Sequence, residues 1–76
     1  MKRYSVYVEK NDYDNVVRKP DFRLTREEYR EMPIMQDIHE SGDYYKLEFK
    51  TQKERNTALE ILKRYLKLAI PLNELI

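Results

Sequence analysis

The chain has no cysteine and a single glycine among its 76 residues. Without thiols it has neither a disulfide framework nor a thiolate metal site. One glycine, Gly42, rules out the glycine-rich loops that cradle nucleotide phosphates. One imidazole, His39, cannot build a zinc site unless several carboxylates gather around it. No run of about eighteen apolar residues is present, so no helix is expected to span a membrane. The opening MKRYSVYVEK lacks the apolar stretch of a secretory signal, and with the missing cysteine this points to a cytoplasmic protein.

A dominant charge is lacking too. Fifteen Lys and Arg oppose fourteen Asp and Glu, for a net charge of +1. A protein that grips the phosphate backbone normally carries a clear positive excess or a segregated patch. Lys53, Lys63, Arg64 and Lys67 gather on one stretch, but Glu60 lies among them, and a solvated helix face accounts for them. Nor is there a catalytic set. Ser5 and Ser41 are the only serines, and a His39–Ser41 neighbourhood at a hairpin tip is solvated turn chemistry. Asp37, His39, Glu40 and Asp43 crowd together in DIHESGD, yet their spacing matches no cation-binding loop. We therefore expect no enzyme, no cofactor and no metal.

What remains is a single small domain, residues 1–76, with an apolar tail at 71–76. Seven tyrosines, five isoleucines and eight lysines against two alanines fit an AT-rich genome such as that of a phage or mobile element. Tyr4, Val6 and Val8 alternate with Ser5, Tyr7 and Glu9, the period of a half-buried strand. Residues 13–19 are ambiguous between strand and helical turn; β-branched Val16 and Val17 favour extended structure. Thr25 and Glu28 form a capping box for a short helix that Pro33 bounds. A hairpin follows, with Ser41-Gly42 at its tip, which sets Ile34 opposite Phe49, Ile38 opposite Tyr45 and Asp37 opposite Lys46. Thr51 and Glu54 open a long helix expected to reach about Ala69 before Pro71. Its apolar arc spans about 200°, more than one sheet face covers. The tail, the first helix or a second polypeptide must cover the excess. The expected fold is α+β: a small antiparallel sheet of three or four strands with a short and a long helix on one face. A ferredoxin-like version is one form of it, although LNELI is short for the last strand.

Two segments resemble the RNA-recognition family. VYVEKN is similar to its first-strand motif and GDYYKLEF to its inner-strand motif. The resemblance implies base stacking by Tyr7 and Tyr44 on neighbouring strands, with Lys46 beside them. It covers about fourteen residues. The pattern departs at Gly42, where a basic residue is expected, at Asp43 in place of the glycine, and at Tyr45 and Lys46. Alternation alone assigns Tyr45, Leu47 and Phe49 to the core.

These features favour a small non-catalytic module that docks on a protein partner or on its own copy, such as an accessory or inhibitor protein of a phage. Two surfaces are candidates. One is the polar sheet face with Tyr7, Met35, His39, Tyr44 and Lys46. The other is the flank of the long helix, Leu59 and Leu66, with Leu72, Leu75 and Ile76 of the tail. Single-stranded nucleic acid on Tyr7, Tyr44 and Lys46 is the alternative.

Overall fold

A computed structural model describes residues 2–75. Alternation makes β1 (Lys2–Glu9), and the chain then turns directly into α1 (Lys10–Val16). A capped turn, α2 (Arg26–Glu31), precedes the hairpin of β2 (Asp37–Ser41) and β3 (Tyr44–Phe49). Helix α3 (Gln52–Leu62) leads to β4 (Ala69–Leu75). The sheet order is β2-β3-β1-β4, and every neighbouring pair is antiparallel. With α2 as an extra turn, this is the β-α-β-β-α-β connectivity of the ferredoxin-like fold. The α+β class expected from the sequence is what the chain adopts.

One face of the sheet carries the core. Val6, Val8, Tyr45, Leu47 and Phe49 meet Ala58, Leu59, Leu62 and Leu66 in one cluster. Burying a side chain of the Val, Leu or Phe class is worth roughly 1.5–3 kcal/mol, so this cluster is the main source of stability in so short a chain. Arg55, 4% exposed, staples α3 to the sheet: its guanidinium donates to the Leu72 carbonyl at 3.1 Å and reaches the Ser5 carbonyl at 3.5 Å.

Four expectations need correction. Of residues 13–19, ambiguous between strand and helical turn with the valines favouring extended structure, 13–16 are helical, the end of α1. Tyr13, Val16 and Val17 stand at helical spacing and all pack on the core, and Tyr45 donates to the Asp14 carboxylate at 3.1 Å. Tertiary contact therefore overrides the β preference of the two valines, since a helix of this length is marginal alone. Asp12 accepts the Lys67 backbone N–H at 2.7 Å.

The long helix ends at Leu62 rather than near Ala69. A further turn buries Leu66, with its N–H bonded to the Leu62 carbonyl at 2.9 Å, and the chain then departs. The third correction follows from this. The tail, thought too short for a strand, supplies one, because β1 has a second edge whose backbone groups need partners. Leu68 and Ile70 thus belong off the helix, and the over-wide apolar arc arose from counting them on it. Residue Ile76 lies outside the described residues.

The hairpin register is shifted by two. Ile38 faces Leu47, Asp37 faces Glu48 and His39 faces Lys46. The tip is Gly42-Asp43, with φ +59° at Gly42 and no positive φ at any other described residue. That is the φ pattern of a type II′ turn, whose first central position suits glycine and whose twist matches the strands. A shift of two preserves both faces, so hydrophobic pattern alone could not choose between the registers. Ile34 is left before the strand, 84% exposed.

Candidate functional site

The face away from the helices is open, and the register lays it out in rows. Asp37, Glu48, Ser5 and Leu72 run across β2, β3, β1 and β4. The next row is His39, Lys46, Tyr7 and Ile70, and the third is Ser41, Tyr44 and Glu9. Tyr7 and Tyr44 are diagonal neighbours with ring centroids 6.5 Å apart and planes tilted by 32°. Large aromatics on adjacent strands pack over one another in this way. Beside them, Ile70 and Leu72 are 43% and 37% exposed. The patch around Tyr7, Tyr44, Ile70 and Leu72 is therefore aromatic and aliphatic.

The β2–β3 half is ionic, and Glu48 is its hub. This carboxylate is buried at 7% exposure although it stands on the open face. Arg3 Nη1 donates to it at 3.1 Å, Lys46 Nζ lies at 3.8 Å and His39 Nε2 at 3.4 Å. His39 Nε2 is also 3.4 Å from Asp37 Oδ2. Arg3 of β1, His39 and Lys46 thus gather around one carboxylate, which offsets their charge toward a polyanion. At the hairpin end, Lys10 pairs with Glu40 at 3.5 Å. A shallow depression of about 300 Å³ beside this end is lined by Glu9, Lys10, Asn11, Gly42 and Asp43.

The candidate residues divide cleanly. Tyr7, His39, Tyr44, Lys46 and Leu72 share the open face. Met35 does not; it packs against the core on the helix side. Leu59 and Leu66, at 7% and 5% exposure, are core side chains, closed over by the chain itself, and present no flank to a partner. Leu75 pairs with Lys2 at the end of β4. The basic stripe after α3 is also broken up: Arg64 donates to Glu28 at 2.8 Å. Arg18 stacks at 5.0 Å over Tyr45, and Arg23 donates to the carbonyls of Pro20 and Phe22.

Sequence reasoning missed two residues here. Ile70 was counted as helical, so its place next to Tyr7 was hidden. The expected register sets Glu48 opposite Met35 rather than Asp37. A glycine suited to the first central position of a II′ turn was the available clue to the true register.

A second polar cluster serves the helix layer. Thr25 and Glu28 complete the capping box, with 3.0 and 3.1 Å bonds in the two directions. Glu28 also accepts hydrogen bonds from the Tyr65 hydroxyl and from Arg64. The Tyr65 bond leads, with the Thr25 backbone N–H and Arg64 behind it, and together they outweigh burial and lower the Glu28 pKa to about 2. Its donors are all structural, and it anchors α2 to the turn after α3.

The chain matches no protein-family model, no curated protein and no solved structure. Among the described residues, no helix is long and apolar enough to cross a membrane.

Proposed function

We propose that the chain is a non-catalytic module that docks on a protein through the open face of its sheet. The observation that carries this is the pairing of Tyr7 and Tyr44 with the half-exposed Ile70 and Leu72 on one surface. Tyrosines offer large, rigid contact area with a polar tip, and they are enriched at protein interfaces together with other large apolar groups. The ionic half beside them supplies a rim of both signs, which suits a protein better than a nucleic acid. An inhibitor or accessory protein from a phage or mobile element works in this manner, by covering a surface of its target. A second copy of the chain is the simplest self-complementary partner.

One observation favours the alternative, single-stranded nucleic acid on Tyr7, Tyr44 and Lys46. The tyrosines lie on the two inner strands of a βαββαβ sheet, as stacking aromatics of the RNA-recognition family do. Stacking contributes about 1–3 kcal/mol per base.

A photo-reactive residue in place of Tyr7 tests the docking reading, with the same group in place of the exposed Lys53 as control. Tyr7 should give one discrete protein adduct, Lys53 none, and Leu72→Asp should remove it. An adduct of the chain with itself, matched by sedimentation above 9.4 kDa, identifies the partner as a second copy. Binding of mixed-sequence oligonucleotides at low salt that Tyr7→Ala with Tyr44→Ala abolishes, with no protein adduct, would replace docking by the alternative.

A further inference from the structure

On the ionic half of the open face, His39 reaches two carboxylates at once. Its Nε2 stands 3.4 Å from Asp37 Oδ2 and 3.4 Å from Glu48 Oε1, and the three donor atoms all lie within 4.8 Å of one another. Ligands about 2.0–2.1 Å from a tetrahedral ion are about 3.3–3.4 Å apart, so both His39 spacings have the length of a tetrahedral edge around zinc. We propose that Asp37, His39 and Glu48 form a binding site for a divalent ion of the zinc class, with water as the fourth ligand.

Three further observations support it. Asp37 Oδ1 accepts the Ile38 N–H at 2.8 Å, which turns Oδ2 toward the imidazole, as outer hydrogen bonds orient ligands in metal sites. Glu48 is fixed in the centre of the sheet with its side chain 9% exposed, so one ligand is preplaced. Directly across from Glu48 on the same face, Ser5 is fully buried and its hydroxyl has no hydrogen-bond partner. A metal-bound water is a donor of the kind that hydroxyl lacks. One imidazole with two carboxylates favours zinc, copper or nickel over magnesium and calcium, which prefer all-oxygen shells.

Arg3 and Lys46 act against the ion. They stand 3.1 and 3.8 Å from Glu48 Oε1 and hold the charge that the metal would take. Arg3 is 44% exposed on its side chain and can swing into solvent, so it competes for the carboxylate without blocking the site. Removing it should therefore strengthen binding at this carboxylate.

The test is a Zn²⁺ titration of the full chain against a chromogenic chelator, with thermal unfolding followed by circular dichroism. One ion per chain is expected, with a rise in Tm. His39→Ala, on the exposed edge strand and free of core contacts, should fold normally and lose affinity by about tenfold or more. Arg3→Gln should raise the affinity severalfold. Absence of saturable one-to-one binding overturns the proposal. So does binding that survives His39→Ala, or an affinity that Arg3→Gln leaves unchanged or lowers. No protein partner enters the measurement, so its outcome is separate from that of the docking test.

Discussion

The two faces of the sheet are made from the same strands yet obey different rules. Along β3, Tyr45, Leu47 and Phe49 turn to the helices and are 6%, 2% and 3% exposed. Tyr44, Lys46 and Glu48, interleaved with them, turn away and are held by rings and charges. On the covered side, apolar volume is matched by α3 and sets stability. On the open side, Glu48 is nearly as buried as the core, but its cover is Arg3, His39 and Lys46. A residue can therefore be inaccessible without being core, and burial alone does not separate folding from function in a sheet this small.

Core deletion should break the comparison most sharply. Leu47→Ala removes a fully buried side chain and should cost about 2–5 kcal/mol, a large share of what so small a domain has. Ile70→Ala, from a side chain 43% exposed on the open face, should cost well under half as much. Chemical denaturation of the two variants measures both. Equal losses would mean that the open face is part of the folding core and is not held in reserve for a partner.

The next effect lies in the helix layer, where a polar contact does what apolar volume does below it. The folded Glu28 pKa of about 2 lies under its ordinary value of 4.5, so the charged form favours the native state. Its contribution is fully present above pH 4.5 and drains away as the pH falls toward 2. In denaturation from pH 7 to 2, the gap between the natural chain and Glu28→Gln should be constant at first and close across that window. A gap that persists at pH 2 would show that Glu28 acts through shape rather than charge.

Much of this architecture was legible in the residues. Alternation in β1 and β3 identified the strands and their inner faces, and the Thr25–Glu28 capping box placed the start of α2 to the residue. What was not legible depended on contacts distant in sequence. Val16 and Val17 prefer strands until Tyr45 and the α3 leucines are beside them. The end of α3 at Leu62 is dictated by the unpaired edge of β1, more than sixty residues from the tail that fills it. The candidate site suffered from the same cause. Tyr7 and Tyr44 were visible as outward aromatics, whereas the cluster around Glu48 depends on a two-residue register shift that leaves both faces unchanged in pattern.

The smallest effect concerns the tyrosine pair. At a centroid separation of 6.5 Å with planes tilted by 32°, Tyr7 and Tyr44 are within the range where rings attract, but at its far end. They are diagonal rather than directly opposite, since Tyr7 faces Lys46 and Tyr44 faces Glu9. Cross-strand pairs are worth about 0.2–1 kcal/mol, and a diagonal pair should fall in the lower part of that range. A double-mutant cycle with Tyr7→Ala and Tyr44→Ala should therefore return a coupling of about 0.5 kcal/mol or less in the isolated chain. If the rings serve a partner, the same cycle run on complex formation should return a larger coupling, because truncating either ring then also opens the contact beneath the other. A stability coupling well above 1 kcal/mol, with none on binding, would make the pair a packing element of the sheet and move the docking surface toward Ile70 and Leu72.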